Sequence, residues 1–569
     1  MAAHQKEKPS GKFLTPSIIQ FGIAHRSPMS ASTKNSNQVA TVSGASHLGF
    51  YPLVNFYTIF SIFTIILLAG LFLRTSHLID RSIWFDEAFT WRLIKFPFVE
   101  MLHRSQLDNS PPFYYILLQG WVALFGDSAF ALRSLSVLCG ELTIVGTYLF
   151  AVEAFGGDLD TGETNSDQRA SHRGIGLYAA TLVAVSALQV RYSWEIRMYA
   201  LAAALSVFSS WALFRALRPP SNLHRWLLYG LLALLLGYTH YYGLFTLVAQ
   251  VVFGAAVLLA RVHWDLLRLL RTSALWHAFL AAALVIAGWL PWLSTFLRQR
   301  AQVKESFWSL PITRWDAADL CYRMLVMPES FPPPPRQSLL LAADLCLLGL
   351  WMLRRKARAA EWYIIASAMA PLLLSYVFSA PSTLRYFLMS QLFLLIGLAA
   401  LIWRLPHGMK RVFAVAASLI LFVGIYSDFW SAMDISNKPG ARGAAEFLQQ
   451  QRRPGEPVVI CMPLFYFPIL YHSPDRSGCF VYSDGRPMPH HFGTAVLTAE
   501  ELITEEQLRA FRSQRAWVVN MANGNWGTRT VPIPPNWTAK GRHVFTEVVR
   551  LGDVIVVEYE INYDRDARK

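Results

Sequence analysis

Charge, cysteine and nucleotide-type glycine loops are all scarce in this sequence, and each scarcity removes a class of protein. Only 15% of its 569 residues are charged, against 54% hydrophobic and 14% aromatic, and the mean hydropathy is +0.33. A soluble globular chain carries about 25% charged residues, so this balance excludes an ordinary soluble protein and leaves room for many membrane spans. Acid is scarcer than base, 37 Asp and Glu against 51 Lys and Arg, giving a formal charge of +14. The surplus does not mark a nucleic-acid binder, because the basic residues stand in short clusters between apolar runs, the pattern that orients membrane helices. The five cysteines, Cys139, Cys321, Cys346, Cys461 and Cys479, show no metal-ligand spacing, and only Cys461 and Cys479 share one soluble region. A disulfide between these two and a pair of free thiols are both compatible with the sequence.

What is present reads as a polytopic α-helical membrane protein followed by a small α/β domain. Residues 1–50 carry Lys6, Lys8, Lys12, Arg26 and Lys34 against Glu7 alone. They read as a disordered basic cytoplasmic tail with no cleavable signal peptide. Pro52–Leu73 is the first span, and the tail before it delivers Asp80 onward to the outer face. Further spans are expected at 130–152, 174–190, 198–216, 225–239, 242–260, 275–296, 337–353, 361–380, 385–403 and 411–429, for about eleven in all. The stretch 112–125, PFYYILLQGWVALF, falls short of the roughly 20 residues a crossing needs. If it lies flat, four basic clusters fall inside together: Arg215, Arg218, Arg225; Arg261, Arg268, Arg271; Arg354, Arg355, Lys356, Arg358; and Arg404, Lys410, Arg411. It is therefore read as a juxtamembrane helix anchored by Tyr114, Tyr115 and Trp121. The transmembrane part then covers 51–430, with a first outer loop at 74–129, and 431–569 forms an extracytoplasmic α/β domain. The insert 156–173 reads as a flexible cytoplasmic loop and 297–336 as a long outer loop able to order over a substrate.

In the last domain Ala444–Gln451 reads as a helix, Val458–Met462 as a buried strand, and Thr498–Ser513 as a helix begun by the box Thr498 and Glu501. Ala516–Met521 reads as a second strand, and the terminal VFTEVVRLGDVIVVEYEI as a hairpin turning at Gly552 and Asp553. No phosphate-binding glycine loop occurs here, so the domain is assigned no catalysis.

Chemistry concentrates on the outer face. Asp86 and Glu87 stand together a few residues after the first span, flanked by Trp84, Phe85 and Phe89. Acid at a membrane boundary is partly desolvated and needs a cation or donors to stay charged. The plain alternative is that the pair caps a short interfacial helix. The segment RYSWEIRMY adds Arg191, Glu195, Arg197 and Tyr199, where Glu195 also fits an ion pair with Arg191 or Arg197. THYY brings His240 and Tyr241, and LRYF brings Arg385 and Tyr386, residue types that also serve as interfacial anchors. Together these sites supply acid, cation and aromatic groups for a cleft that takes an anionic lipid-linked substrate and a hydroxyl acceptor.

The series WFDEAFT, DNSPPFYYILLQGWVALFGDSAFALRSLS, YSWEIRMYAL, GYTHYYGLF and LRYFLMSQLFLLIGLAAL, in that order over roughly residues 53–430, resembles the GT-C superfamily of membrane glycosyltransferases. Within it the likeness is to the bacterial family related to lipid A aminoarabinose transferases and protein O-mannosyltransferases. The resemblance implies a polyprenyl phosphate sugar donor, a lipid, glycan or protein acceptor, inversion at the anomeric carbon, and a bacterial cytoplasmic membrane with the C-terminal domain outside. It also implies juxtamembrane helices in the first outer loop. By matched position it implies Asp86 as general base, Glu87 as a residue positioning acceptor or base, Arg197 and Arg385 as phosphate cations, and Glu195 and His240 lining the cleft. Ser110 stands where the family often has His before the Pro-Pro pair, and Asp108 with Asn109 is the local substitute. No obligatory cofactor is implied; a divalent metal serves the more distant oligosaccharyltransferases, and the acids Asp86 and Glu195 leave that open. Two other classes are a transporter or flippase of lipid-linked sugars and a noncatalytic envelope assembly protein. The first calls for midplane ionisable groups and internal repeats that the sequence does not clearly show. The second predicts a silent Asp86→Asn.

Overall fold

The structure, a computed structural model, describes residues 51–157, 166–305, 309, 319–320, 322–325, 358–405, 408–432, 435–524, 527–548 and 552–562. The tail 1–50, the expected span 337–353, most of the loop beyond Glu305, residues 158–165 of the insert and three members of the third basic cluster, Arg354, Arg355 and Lys356, lie outside the described residues. Residues from Tyr57 to Lys569 form one compact unit, which is the part considered below.

Among the described residues eight helices are long and apolar enough to cross a membrane, and a bent pair brings the number to nine. The protein is a multi-pass membrane protein. Helix α1 (Tyr51–Thr75) leads into three short helices, α2 (Phe85–Ile94), α3 (Phe98–Leu107) and α4 (Phe113–Phe125). Next come α5 (Ala129–Phe155), the pair α6 (Ser166–Val185) and α7 (Ala187–Ser193), then α8 (Tyr199–Leu217), α9 (Leu223–Gly237) and α10 (Tyr241–Arg261). A short α11 (Leu266–Leu270) precedes α12 (Ser273–Trp289) and α13 (Leu293–Glu305). Helix α14 (Ala359–Val377), a 3-10 turn at Leu384–Phe387, α15 (Leu388–Trp403) and α16 (Met409–Ala432) complete the membrane part. Helix α9 covers the stretch expected as a span at 225–239 but, with 15 residues, is shorter than the eight long helices. It crosses α12 at close range: a Cβ on Gly230 would stand 3.1 Å from the Ala281 carbonyl oxygen, the kind of backbone approach small residues permit. Helix α8 is buried almost all round, whereas α1, α12 and α16 turn most of their apolar residues outward, as lipid-facing spans do.

The 61° break between α6 and α7 has a chemical reason. A helix end frees carbonyls, and the buried Arg74 of α1 takes two of them, Ala184 O at 3.1 Å and Val183 O at 3.3 Å.

The stretch expected to lie flat forms a single short apolar helix. Helix α4 has 13 residues, about 20 Å of length, too little for a hydrocarbon core of about 30 Å. The Phe113 amide donates to Tyr238 O at 3.1 Å, and Asp127, just beyond the helix, accepts from Trp91 Nε1 at 3.3 Å. The expected anchors need correction, however. Tyr114 and Tyr115 are buried, because the Tyr114 hydroxyl bonds Ser136 at 2.9 Å and that of Tyr115 bonds Asp108 at 3.3 Å. The exposed apolar groups at the far end of α4 are Leu124 and Phe125.

The C-terminal domain is built on a seven-stranded sheet. Its elements are α17 (Gly440–Gln451), β1 (Val458–Ile460), α18 (Pro463–His472), β2 (Cys479–Tyr482), β3 (Leu502–Ile503), α19 (Glu505–Arg509), β4 (Arg515–Gly524), β5 (Gly527–Arg529), β6 (Trp537–Thr546) and β7 (Asp553–Ile561). The order is β3-β2-β1-β4-β7-β6, with β5 on β4. Strand β1 is flanked by parallel neighbours on both sides and all three of its residues are buried, as a central parallel strand requires. The helix expected at 498–513 divides. Glu501 does close the turn at Thr498, but Leu502 and Ile503 pair with Val481 and Tyr482 of β2, so the helix starts only after a second box, Thr504 with Gln507. The terminal hairpin exists, but β6 ends at Thr546, so the connection begins well before Gly552. Cys461 and Cys479 are free thiols.

Candidate active site

The site grows from the segment between α1 and α2. Arg133, in the second turn of α5, is fully buried and gathers that segment. Its Nη1 donates to Leu78 O at 2.6 Å and Arg81 O at 3.3 Å, and its Nη2 to Ser82 O at 3.2 Å. The same guanidinium forks onto Glu87, Nε to Oε1 at 2.8 Å and Nη2 to Oε2 at 2.6 Å. Glu87 is equally buried and also accepts from the amides of Ile196 at 3.3 Å and Trp84 at 3.4 Å. Both of its oxygens are thus occupied, and it closes the first turn of α2 from the inside. Acid at that turn also suits the helix dipole.

Asp86, one residue earlier, is placed differently. Its Oδ2 accepts from Arg385 Nη1 at 2.6 Å, and the two side chains are 16% and 13% exposed, against zero for Glu87 and Arg133. Of these two pairs, the one at Asp86 has access to solvent. Arg385 comes from the turn Leu384–Phe387, and its guanidinium lies over Tyr199 at 5.5 Å, Tyr386 at 5.8 Å and Trp84 at 5.9 Å from the ring centroids. Aromatic faces stabilise a cation and confine it. His240 joins the wall, 5.5 Å from Tyr199 and 5.2 Å from Tyr386 between ring centres. Its Nδ1 accepts the Tyr242 amide at 3.1 Å and so caps α10, which reserves that nitrogen.

A second cation is fastened to the backbone of α2, the helix of Asp86. Arg197 Nη1 donates to Thr90 Oγ1 at 3.2 Å and to the Tyr115 hydroxyl at 3.4 Å. Thr90 in turn donates to Asp86 O at 2.8 Å, and Tyr115 donates to Asp108 Oδ2 at 3.3 Å. Burial raises the Asp108 carboxyl above its ordinary range, with the Arg197 charge opposing.

The structure thus brings together Asp86, Arg385, Tyr199, Tyr386, His240, Arg197 and Asp108. It places three other expected residues elsewhere. Glu87 lies under Arg133, as described. Glu195 is buried against Arg191 at 2.9 Å, an ion pair of the kind its i,i+4 spacing allows but inside the protein and not on its surface. Tyr241 donates to Gln299 Oε1 and accepts from Trp292 Nε1 at 3.0 Å, while Gln299 holds Ser105 O at 3.1 Å, so Tyr241 fastens α10 to α13 and α3. Among the described residues no three His, Cys, Asp or Glu side chains converge on a metal position. Asp86 and Glu195 are each paired with an arginine, Arg385 and Arg191.

No family model matches the chain, and no curated protein sequence does. Solved structures do match. ArnT from Cupriavidus metallidurans bound to undecaprenyl phosphate aligns over 87% of this chain and 97% of its own, at 12% identity and a TM-score of 0.55. Its apo state aligns over 89% and 98%, at 13% identity and a TM-score of 0.53. The fold is the GT-C fold. The archaeal oligosaccharyltransferase AglB from Archaeoglobus fulgidus, in complex with an inhibitory peptide and a dolichol-phosphate, stands further off: 13% identity, 73% of this chain and 63% of that one, TM-score 0.43.

Within this GT-C fold the sequence reading missed Arg133, Thr90 and Tyr115. Arg133 carried a signal, since a lone arginine inside a long apolar run requires a partner. Thr90 and Tyr115 carried none, because only the folded loop brings them to Arg197.

Proposed function

We propose that the protein is an integral-membrane glycosyltransferase that moves a sugar from a polyprenyl-phosphate-linked donor to a lipid, polysaccharide or protein acceptor, with inversion, on the extracytoplasmic side of a bacterial cytoplasmic membrane. The observation that carries the reading is the partly exposed Asp86 carboxylate held at 2.6 Å by Arg385, with Arg197 bonded to Thr90 one turn along the same helix. Two guanidiniums beside Asp86 leave cationic charge for a phosphate, and their planar forks suit its oxygens. The fold supports the same reading, since ArnT was solved with undecaprenyl phosphate.

The chemistry follows from those groups. The donor phosphate competes with Asp86 for Arg385; once the guanidinium turns to phosphate, Asp86 is free to accept the proton of an acceptor hydroxyl. The hydroxyl oxygen bonds to the anomeric carbon, the bond from that carbon to the phosphate oxygen breaks, and its electron pair leaves on the phosphate. Arg385 and Arg197 offset the charge growing there. Tyr199, Tyr386 and His240 offer faces for the sugar, and Asp108 with Tyr115 offers polar contacts for its hydroxyls. Glu87 and Glu195 act at one remove by fixing Arg133 and Arg191. For sidedness the support is charge: Arg215, Arg218, Arg261, Arg268, Arg404 and Arg411 stand at helix ends opposite Asp86, where an inner face belongs. The test is incubation of the reconstituted protein with a panel of radiolabelled polyprenyl phosphate sugars and membrane extract. Label transferred to acceptor supports the reading, and label moved across the bilayer without transfer supports a flippase instead.

A further inference from the structure

The loop that presents Asp86 is gripped from two sides, and the second grip comes from the C-terminal domain. Arg133 of the membrane part holds carbonyls of residues 78, 81 and 82 from below. From above, Arg442 of α17 donates through its amide to Ser82 Oγ at 3.2 Å, through Nη1 to Ile79 O at 3.2 Å, and through Nη2 to Asp80 O. His472, the last residue of α18, accepts the Ile83 amide on its Nε2 at 3.1 Å and lies 3.4 Å from Ser82 Oγ. Ile83 stands three residues before Asp86. The same helix packs on α2 directly: Phe467 faces Phe85 at 6.1 Å and Tyr471 meets Trp91 edge-on at 5.2 Å between ring centres. Arg92 of α2 completes the seam with Glu501 at 2.9 Å.

We propose that the C-terminal domain is part of the catalytic unit, with His472 a positioning residue that fixes the entry into α2 and thereby the reach of Asp86 toward the acceptor; this rests on the reading of Asp86 as the base. An amide that donates to Nε2 needs that nitrogen unprotonated, so the grip requires neutral imidazole. Burial, and then the charges of Arg442 and Arg133, push His472 down to about 3, which keeps it neutral at any pH the membrane meets. The grip is therefore constant, a fixture and not a pH sensor. Displacing a catalytic group by about 1 Å can cost about 100-fold in rate with little change in substrate binding.

Atom matching gives the test its sharpness. A glutamine at 472 puts Oε1 the same number of bonds from Cα as Nε2, an asparagine puts Oδ1 level with Nδ1, and a phenylalanine keeps the ring without an acceptor. Sugar transfer and amide hydrogen exchange are measured on the full chain for wild type, His472→Phe, His472→Asn and His472→Gln. The expected result is a kcat about 10- to 100-fold down in the Phe and Asn variants with KM within about 3-fold. Gln restores kcat, and faster exchange in the Phe variant is confined to residues 79–90. Wild-type kcat in His472→Phe overturns the proposal. So does a loss of protection spread over 440–561, which would make the residue merely structural. If wild type transfers no sugar, the functional reading fails by itself, and the grip is still decided by exchange: faster at 79–90 in Phe but not in Gln supports it, unchanged exchange refutes it.

Discussion

If Glu87 serves structure, removing its partner must cost stability before it costs chemistry. Arg133→Leu takes away the guanidinium that makes all the bonds to Leu78, Arg81, Ser82 and both oxygens of Glu87, and strands a carboxylate with no exposure to water. Breaking such a buried pair from one side costs about 3–5 kcal/mol. The double variant Glu87→Leu with Arg133→Leu strands no charge; three loop carbonyls lose this donor and the amides of Trp84 and Ile196 this acceptor, at about 1–3 kcal/mol each at most. It should therefore be more stable than the sum of the single variants by about 2 kcal/mol or more. The assay is the unfolding midpoint of the purified full chain in detergent micelles, with sugar transfer measured at a temperature where each variant is still folded. Glu87→Gln should likewise lower the midpoint and transfer sugar in proportion to the folded fraction. A Glu87→Gln protein with the wild-type midpoint and no transfer would refute this reasoning and return Glu87 to the chemistry.

Two further outcomes follow from the same geometry. Arg385→Ala should lower kcat by about 100- to 1,000-fold, the loss typical of a donor aimed at developing charge, and Arg385→Lys should recover only part because it cannot fork. Wild-type turnover in the Ala variant would remove Arg385 from the leaving-group side. Glu547 should give the protein a pH-dependent stability: burial raises its carboxyl to about 7, opposed by hydrogen bonds from the backbone at Ala441 and Val548. The folded form then binds the proton more tightly than the unfolded chain, so stability falls as pH rises from about 4.5 to about 7 and levels off above, by on the order of 3 kcal/mol. Glu547→Gln should flatten midpoints measured between pH 5 and 8, and a slope of the opposite sign would contradict the assignment.

Much of the architecture was legible because spans declare themselves by length and apolarity, and the stretch 112–125, short for a crossing, forms the 13-residue helix α4. That Arg197, His240 and Arg385 stand at or beside ends of long apolar helices, with Asp86 in the segment after the first, was legible too. What they touch was not. Asp86 meets Arg385 across 299 positions, a distance over which sequence carries no local pattern. Adjacent carboxylates look alike in sequence, yet a step of one residue, about 100° around the helix, turns Asp86 to Arg385 and Glu87 under Arg133. Glu195 shows the converse, because its neighbour at i−4 was the partner all along. In the C-terminal domain the box at Thr498 formed as expected, but strand pairing by Leu502 and Ile503 ended the helix it was meant to start, a tertiary contact that overrides a local cap. Nor could the sequence reveal that a domain without a catalytic motif grips the loop before Asp86.

The central claim is that Asp86 is the base for sugar transfer at the outer face, and one comparison reaches it directly. Wild type and Asp86→Asn, at equal abundance and with equal unfolding midpoints, are given the same radiolabelled polyprenyl phosphate sugar, and donor binding and transfer are measured side by side. The account predicts that Asp86→Asn still binds donor, since Arg385 and Arg197 remain, while transfer falls by at least about 100-fold. Transfer by Asp86→Asn at the wild-type rate would contradict it.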